Sequence, residues 1–452
     1  MLDQIKSVFF LGIKGVAMAN LALILKKMGK NVTGSDTDES QITDKLPKNV
    51  DLVVYSAAHG GINNPQVVEA KKRGVSVVHQ AEFQGVLMNQ FKTKIAVCGS
   101  HGKTTTAAIL SYCLLKLGAK LGYMVGTSTF NDYFGGDYLG DDYFVIEADE
   151  YGVNPPSDKT PKFLFLNPDI ILSTNIDFDH PDVYANEQES AEAYIKFIKK
   201  AKTAYVCKDD PETKKALTAG SLSAKTYGQE ETSDLVVREI VTNEEGSSFK
   251  VSYQRKELGE FKLAVYGEKN VLNAAGITLV LLDLGFDSEK IKEVISGFKG
   301  SKRRFELKFE KDGTYLLDDY AHHPKEIEAT IQAARSRFAA KRIIIVFQSH
   351  TYSRTYTLLD GFAESLSRAD LSYVMPIFPS ARENPEDFKV SEKDVEKKAK
   401  EMGKSNVMAV STKEEVIQKL KDTLKKGDVV FTMGAGDVYK LADDIINLII
   451  KA

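Results

Sequence analysis

The chain has 452 residues, of which 43% are apolar and 27% charged, a composition typical of a folded protein of about three domains. Its formal net charge is −3, with 60 Lys and Arg against 63 Asp and Glu, so no overall positive charge favours a nucleic acid or an anionic membrane as partner. We therefore expect small anionic ligands, bound at local sites.

Cysteine content and the amino terminus predict where the protein works. Cys98, Cys113 and Cys207 are widely spaced within apolar patterns, which fits neither a disulfide framework nor a zinc site. The first residues lack a basic stretch followed by a sustained apolar run, and no apolar run is long enough to span a bilayer. We expect a cytoplasmic protein without membrane insertion, either a monomer or a homodimer.

The first glycine loop follows an apolar strand at residues 7–11. Gly12 and Gly15 precede a helical pattern, and a second strand ends at Asp36, about twenty positions after the loop. This pattern is typical of a βαβ dinucleotide-type unit, which would place the loop against a pyrophosphate and Asp36 near a ribose or base. The glycine pattern is incomplete, and a plain strand-to-helix turn explains it equally well.

Two further strands complete a small parallel α/β domain, which we place at residues 1–91. The third covers residues 51–57 and ends in small residues, among them Ser56, and the fourth covers residues 75–78. Helical patterns alternate with these strands, as a parallel sheet requires.

The second glycine loop reads GSHGKTTT over residues 99–106, between an apolar strand and a helical pattern. Glycines let backbone N–H groups close around phosphate oxygens, while Lys103 can reach the β- and γ-phosphates and Thr104 can ligate Mg²⁺. A turn that merely joins strand to helix would explain the glycines but not the Lys-Thr run. The predicted ATP-binding residues here are Gly99, Ser100, His101, Gly102, Lys103, Thr104 and Thr105.

Acidic residues follow two later strands of the same segment. An acidic run at residues 147–150 ends one buried strand, and the next delivers Asp177, Asp179 and His180 to the same edge. Carboxylates there suit Mg²⁺, a hard cation that prefers oxygen ligands. From residue types alone, packing or hydrogen bonding is the favoured role of His180.

The remainder of the central segment, up to residue 300, contains three further features. Residues 152–161 carry three prolines and predict an irregular surface loop, whereas residues 246–260 predict a hairpin. A helix that opens at Gly267 places Asn270 and Asn273 one turn apart on one face. Such a pair can hydrogen-bond a base edge, although helix capping explains one of the two equally well.

The third segment, at residues 301–452, contains three strands that each end in a polar or glycine-rich cluster. Such clusters mark the ligand edge of a parallel sheet. They cover residues 318–324, 348–354 and 433–437, and Arg304 lies in a charged run before the first strand. Their candidate site residues are Asp319, His323, His350 and Arg354.

Together these motifs resemble the Mur ligase family, the ATP-dependent amide ligases that build the peptidoglycan stem peptide on a UDP-linked muramic acid. The motifs are the first glycine loop, GSHGKTTT, EADE at 147–150, TNIDFDH at 174–180, residues 270–273, RRFE at 303–306 and DDYAHHP at 318–324. The resemblance implies an α/β fold of three domains, each around a mainly parallel sheet. These would be a Rossmann-like domain at residues 1–91, a P-loop domain at 92–300 and a Rossmann-like domain at 301–452.

The resemblance also implies roles for single residues, and a metal-binding role for His180 replaces the packing role. Lys103 and Thr104 would contact phosphates and metal, and Glu147 and His180 would bind magnesium. Asn270 and Asn273 would bind adenine. Arg304 and Asp319 would contact a phosphate and the nucleotide ribose. The predicted catalytic set is Lys103, Glu147, His180, Arg304, His350 and Arg354. The predicted substrate-binding set is Gly12, Gly15, Asp36, Ser56, His323, His350 and Arg354.

Within the family, FQSHTYSRT at 347–355 and GAGD at 434–437 resemble members that add L-alanine to UDP-N-acetylmuramate. We therefore expect these two substrates, with ATP and Mg²⁺. The segment from Tyr151 to Lys162 instead resembles members that attach the tripeptide L-Ala-γ-D-Glu-diaminopimelate. Lys269 stands where the family has a histidine, and Lys14 and Ala17 stand where it has glycines.

Several alternatives stay open at this point. A nucleotide-regulated protein that binds a UDP-sugar without forming a bond would need the phosphate loop alone, and a simple kinase would need no amine site. The general base could be His350 or His323. The sequence also leaves open whether a lysine such as Lys196 or Lys199 is modified to serve the metals.

Overall fold

The computed structural model describes residues 2–36, 46–379 and 383–451, which form two compact units. The first unit contains the described residues up to Glu239 together with Phe249–Leu263 and Leu272–Lys299. The second contains Ile240–Ser248, Ala264–Val271 and the described residues from Gly300 onward. Within these described ranges, no helix has the length and apolar character needed to cross a membrane.

The first part of the first unit is a four-stranded parallel sheet with helices, as predicted. Its elements are β1 (Ser7–Leu11), α1 (Val16–Lys27), β2 (Asn31–Ser35), β3 (Leu52–Tyr55), α2 (Pro65–Lys72), β4 (Ser76–His79) and α3 (Gln80–Met88). The strand order is β2-β1-β3-β4, and each adjacent pair is parallel. Phe9 and Phe10 are both fully buried, in separate apolar clusters, because neighbouring strand residues point to opposite faces.

The strands of the central region form one ten-stranded sheet, except for two that form a short hairpin. They are β5 (Thr93–Cys98), α4 (Lys103–Lys116), β6 (Leu121–Phe130), β7 (Tyr133–Tyr138), β8 (Tyr143–Glu147), β9 (Gly152–Asn154), β10 (Asp158–Pro161), β11 (Ile170–Ser173), α5 (Glu187–Ile198), β12 (Thr203–Cys207), α6 (Pro211–Thr218), β13 (Lys225–Gly228), β14 (Leu235–Asn243), β15 (Gly246–Tyr253), β16 (Lys256–Leu263), α7 (Glu268–Asp283) and α8 (Ser288–Ser296).

The strand order of the large sheet explains where the central motifs meet. It is β16-β15-β14-β13-β12-β11-β5-β8-β6-β7. β5 lies between β11 and β8 and is parallel to both, so three carboxyl ends converge around the second glycine loop. This is the edge at which ligands bind in open α/β sheets.

The last segment forms a six-stranded sheet of order β17-β18-β22-β19-β20-β21, in which only β17 is antiparallel to its neighbour. Separate apolar clusters cover its two faces. The elements are β17 (Glu306–Lys311), β18 (Thr314–Asp319), α9 (Pro324–Arg337), β19 (Ile343–His350), α10 (Tyr352–Thr357), α11 (Leu359–Leu366), β20 (Leu371–Phe378), α12 (Glu392–Glu401), β21 (Val407–Ala409), α13 (Lys413–Thr423), β22 (Val429–Met433) and α14 (Ala442–Lys451).

The structure corrects the prediction of an irregular loop at residues 152–161. β9 and β10 pair there as a short antiparallel hairpin whose register shifts between Asp158 and Pro161. Prolines cannot donate ladder hydrogen bonds, so their number concealed the hairpin. The hairpin predicted near residues 246–260 is present as β15 and β16, and the helix predicted from Gly267 is α7.

Candidate active site

The first glycine loop is held by the end of β2. Gly12, with φ +80°, donates its N–H to the Ser35 carbonyl at 2.7 Å. Asp36, predicted to lie near a ribose or base, accepts the N–H of Lys14 at 2.7 Å, so its carboxylate braces the first glycine loop. Gly15 is the residue before α1. The Ser56 hydroxyl, at the end of β3, accepts the N–H of Ala58 at 3.3 Å.

The second loop is compact because its glycines lie against other chain segments. Gly99 has φ +130°, and a Cβ there would lie 2.1 Å from the Thr174 hydroxyl. Gly102 has φ +84° and precedes α4, and a Cβ there would lie 2.9 Å from the side-chain nitrogen of Asn273. Larger residues at these two positions would displace the loop. Asn273 therefore lies beside the phosphate loop.

Ser100 and His101 are fixed by the segment after β11. Asp177 donates its N–H to the Ser100 hydroxyl at 2.8 Å, and its carboxylate lies 3.2 Å from His101 Nε2. The His101 N–H donates to the Asn175 side chain at 3.0 Å, and its carbonyl accepts the Thr174 hydroxyl at 2.6 Å. These contacts join the second glycine loop to the segment that follows β11.

Lys103, the first residue of α4, turns back over the loop. Its Nζ donates to the carbonyls of Gly99 and Ser100 at 2.7 and 3.1 Å and to the Glu150 carboxylate at 2.8 Å. Burial alone would lower the Lys103 pKa, but the charges of Glu150 and Glu147 outweigh burial and raise it above its usual value. The Lys103 ammonium group is therefore held in its charged form beside the carbonyls of the loop.

Glu147 ends β8 and joins α4 to β6. One carboxylate oxygen accepts the Thr104 hydroxyl at 2.9 Å, and the other accepts the Gly126 N–H at 2.7 Å. The predicted metal residues Thr104 and Glu147 therefore meet, and both offer the oxygen ligands that Mg²⁺ favours. Thr105 follows on the first turn of α4, where it is half-buried.

His180 lies close to two carboxylates. Its Nε2 is 3.6 Å from oxygens of both Glu150 and Asp179, and its backbone has φ +59°. The ring meets that of Tyr151 edge-on, with centroids 4.8 Å apart, and the Tyr151 hydroxyl donates to Asp182 at 2.6 Å. The imidazole is thus placed beside the acidic run.

The two predicted adenine residues occupy the first turns of α7. Asn270 donates its side-chain N–H to the Tyr266 carbonyl at 2.8 Å, a local bond to the backbone four residues earlier. Asn273 is buried and packs by Gly102. Lys269, between Glu268 and Asn270, is exposed. Adenine binding by the pair stays a prediction.

In the second unit, Asp319 ends β18 in a buried position. Its two oxygens accept the N–H groups of Phe305 and Ala321 at 2.7 and 2.8 Å. Burial raises the Asp319 pKa to about 6, although the nearby charge of Arg304 opposes the rise. The Arg304 guanidinium lies over the Tyr320 ring, 5.0 Å from its centre.

His323 is buried at the start of α9 and serves as its N-cap. Its Nδ1 accepts the N–H of Lys325 at 3.3 Å, and the Glu326 side chain accepts the His323 N–H at 3.3 Å. A histidine whose Nδ1 accepts a hydrogen bond carries its neutral-state proton on Nε2.

His350 ends β19, and Arg354 lies in α10. The His350 ring stacks on Phe378, with centroids 6.0 Å apart. Arg354 is buried and donates to the His350 carbonyl at 3.2 Å. Glu383 accepts the N–H groups of Tyr352 and Ser353 at 2.7 and 3.2 Å and so fixes the start of α10.

The glycines after β22 belong to the same edge. Gln348 accepts the N–H groups of Asp437 and Val438 at 2.8 and 3.0 Å. A Cβ at Gly434 would lie 2.2 Å from the Gln348 carbonyl, and one at Gly436 would lie 2.3 Å from its side-chain oxygen. The glutamine and the two glycines form one interlocked turn.

Sequence reasoning missed the residues that position the acidic run. Glu150 pairs with Lys103, and Lys162 donates to the Asp149 carboxylate at 2.8 Å while it lies over the Tyr151 ring. Lys162 stands in an apolar run after Pro161, and a charged residue in such a run was the sequence signal for a buried ion pair. Lys196 and Lys199, considered for modification, are exposed.

Family models match the chain in three consecutive stretches. They are described as Mur ligase family, catalytic domain at residues 7–92, Mur ligase middle domain at 97–281, and Mur ligase, glutamate ligase domain at 303–436.

The chain belongs to the Mur ligase family.

It is therefore a ligase of the ATP-dependent class, which confirms the predicted enzyme class. Two relatives named UDP-N-acetylmuramate–L-alanine ligase align over nearly the whole chain. The one from Caldanaerobacter subterraneus subsp. tengcongensis is 37% identical and covers 99% of this chain and 98% of the relative. The one from Streptococcus equi subsp. zooepidemicus is 36% identical and covers 96% and 95%.

Solved structures of Mur ligases share the fold. The UDP-N-acetylmuramate–alanine ligase of Thermotoga maritima superposes with a TM-score of 0.80 at 24% identity and covers 98% of this chain and 99% of that one. The murein peptide ligase of Psychrobacter arcticus gives 0.70 at 22% identity, with 98% of both chains covered. The predicted α/β fold with mainly parallel sheets is confirmed.

Proposed function

We propose that this Mur ligase joins L-alanine to the lactyl carboxylate of UDP-N-acetylmuramate and cleaves ATP to ADP and phosphate, in peptidoglycan precursor synthesis. The observation that carries the proposal is identity of 37% over 99% of the chain to a relative of that name. Two contacts support the proposal, that of Lys103 with the carbonyls of the phosphate loop and that of Thr104 with Glu147.

In the first step, a carboxylate oxygen of the sugar nucleotide attacks the γ-phosphorus of ATP. The bond from that phosphorus to the bridging oxygen breaks, so ADP leaves and an acyl phosphate forms. Lys103, and Arg304 from the second unit, are assigned to the charge that develops on the transferring phosphoryl group, because positioning and electrostatics dominate such transfers.

The oxygen ligands Thr104 and Glu147, together with His180, are the residues proposed to hold Mg²⁺. Bound there, the ion would offset the negative charge of the β- and γ-phosphates. Two observations support a magnesium site here. The Thr104 hydroxyl lies 2.9 Å from the Glu147 carboxylate, and His180 lies beside Glu150.

In the second step, the amine of L-alanine attacks the acyl carbon, and the tetrahedral intermediate expels phosphate. The amine is protonated at neutral pH, so a base must remove a proton. His350 is the better candidate, because His323 Nδ1 accepts a backbone hydrogen bond that leaves the proton on Nε2. Arg354 is assigned to the carboxylate of a substrate.

The other predicted contacts complete the proposal. Gly12, Gly15, Asp36 and Ser56 would bind the uridine nucleotide, whereas Asn270, Asn273 and Asp319 would bind the adenosine of ATP. A cytoplasmic location is also proposed, supported by three buried, free cysteines that suit a reducing compartment.

The test is ATP consumption in the presence of Mg²⁺ and each substrate alone or both together. A ligase releases phosphate and forms an amide, detected by mass spectrometry, only when the sugar nucleotide and the amine are both present. A kinase would consume ATP with one substrate, and a binding protein would consume none, so either result overturns the proposal.

The tripeptide L-Ala-γ-D-Glu-diaminopimelate is a second candidate acceptor. The segment that resembled tripeptide-attaching members forms the β9–β10 hairpin, and Tyr151 and Lys162 at its two ends are tied together through the Lys162 N–H to the Tyr151 carbonyl at 3.0 Å. The resemblance of this segment to the tripeptide-attaching members is the observation that favours this candidate.

A further inference from the structure

Asn20 lies in the second turn of α1 and is only 2% exposed. Its side chain extends from α1 to β6, where the side-chain nitrogen donates to the carbonyls of Val125 and Thr127 at 2.7 and 3.2 Å. A buried amide that uses both of its donors on backbone carbonyls fixes the chain it contacts.

The two carbonyls flank Gly126, whose N–H donates to Glu147. Here β6 lacks regular support: its pairing with β8 runs as far as Met124, and its pairing with β7 shifts register between Met124 and Thr129. Asn20 therefore supplies hydrogen bonds in the irregular stretch whose central N–H holds the Glu147 carboxylate.

Close packing leaves this stretch little freedom. A Cβ at Gly126 would lie 2.4 Å from a Glu147 carboxylate oxygen, and one at Gly135 would lie 1.7 Å from the Thr127 carbonyl. A Cβ at Gly136 would lie 2.7 Å from Asn20 itself. The glycines let the backbones of α1, β6 and β7 approach closely around the Asn20 amide.

We propose that Asn20 is a positioning residue for the metal carboxylate: by fixing residues 125–127, it aims the Gly126 N–H at Glu147 and holds Glu147 against Thr104. The inference rests on the proposed function in one respect, the assignment of Mg²⁺ to Thr104 and Glu147. It adds that a helix of the sugar-nucleotide region helps to build the metal site of the ATP region.

A purely structural role would make Asn20 a packing contact between α1 and β6. The two roles differ in what they do to metal-dependent nucleotide binding. Loss of packing lowers stability without a preference for the metal, whereas misdirection of Glu147 weakens nucleotide binding only when Mg²⁺ takes part.

The experiment measures ADP binding by calorimetry to wild type and Asn20→Ala, with Mg²⁺ and with EDTA. We expect Asn20→Ala to weaken ADP binding about 10-fold in Mg²⁺ and to leave binding in EDTA unchanged, the fold-change being that of one displaced metal ligand contact. Equal losses in both conditions, or no loss in either, would overturn the proposal.

Asn406→Ala is the matched control, because Asn406 also donates to two backbone carbonyls, those of Ser367 and Ala369, at 2.9 and 2.7 Å, but in the second unit. We expect it to lower stability with no change in the ratio of the two affinities. If it changes that ratio as Asn20→Ala does, the effect is general destabilisation and the proposal fails.

Gly126→Ala provides a second variant in case Asn20→Ala does not fold, because Gly126 is exposed and the three atoms nearest its added methyl all belong to the Glu147 carboxylate. It should show the same Mg²⁺-specific loss, and unchanged affinity in Mg²⁺ would count against the proposal. These readouts need no amide formation. If the wild type binds ADP in a Mg²⁺-dependent way but makes no amide, the proposed function is contradicted and the inference about Asn20 is not.

Discussion

Lys103 and Glu150 form a buried ion pair, with Nζ 2.8 Å from the carboxylate. The lysine also donates to two carbonyls of its own loop, so three acceptors fix the position of the ammonium group. Bound phosphate oxygens would compete with these acceptors. The pair therefore links the loop to the acidic run, and the charge we propose for phosphoryl transfer is held within it.

Replacement of Lys103 by Met separates these two contributions. We expect ADP formation to fall by at least about 100-fold, because a charge aimed at the transferring phosphoryl group is lost. The free energy of unfolding should fall by about 3–5 kcal/mol, since Glu150 is left buried without its counter-charge. ADP release assays and urea denaturation measure the two effects.

The double variant Lys103→Met, Glu150→Gln is the control. It removes both charges, so most of the stability should return while activity does not. Near-normal ADP formation in either variant would contradict the role assigned to Lys103.

Lys162 should control the acid stability of the protein through Asp149. Burial acts to raise the Asp149 pKa, but the Lys162 charge and hydrogen bond outweigh burial and lower it to about 2. A carboxyl whose pKa is lower in the folded state stabilises the fold above its unfolded value, near 3.8, and loses that contribution as pH falls towards 2. Lys162→Met should remove this contribution, so the variant should be less stable than wild type at neutral pH and the two stabilities should converge as pH falls towards 2.

Urea midpoints between pH 2 and pH 7 test this expectation, with a loss of at most about 1 kcal/mol at neutral pH, because the Asp149 side chain is 47% exposed and solvent screens the pair. Lys92→Met is the matched control, because Lys92 pairs with Asp142 at 2.7 Å on the surface and should contribute little. Parallel pH profiles for wild type and Lys162→Met would contradict the assignment.

Gly434 should tolerate no side chain. Gly434→Ala would place a Cβ 2.2 Å from the Gln348 carbonyl at φ +136°, so it combines a steric clash with backbone strain. Gly427→Ala is the control. Gly427 has φ +94° but no atom within 4 Å of an added Cβ, so this substitution adds backbone strain without a clash. We expect Gly427→Ala to cost about 1 kcal/mol and Gly434→Ala clearly more, measured by thermal and urea unfolding. Equal losses would show that Gln348 does not restrict this turn.

The fold and the phosphate loop could be predicted because their signals are local. Apolar strands, glycine loops and polar strand ends follow each other within a few residues. The residue types of GSHGKTTT are enough by themselves to predict a phosphate-binding loop. The hairpin at residues 152–161 was predicted wrongly, because its prolines signal a break and its pairing depends on the residues between them.

The positioning contacts of the site could not be predicted, because they join residues far apart in the sequence. Asn20 reaches Val125 over 105 positions, and Lys103 reaches Glu150 over 47. Sequence spacing does not encode which acidic residue of the 147–150 run faces the lysine and which faces Thr104. Only the order of β5, β8 and β6 in the sheet assigns Glu150 to one and Glu147 to the other.

L-alanine is the amine that we propose this Mur ligase uses. The most direct measurement is phosphate release from ATP with Mg²⁺ and UDP-N-acetylmuramate, run in parallel with L-alanine, with the tripeptide L-Ala-γ-D-Glu-diaminopimelate and with no amine. We expect turnover that requires L-alanine. Turnover that requires the tripeptide, or that proceeds without an amine, would contradict the account.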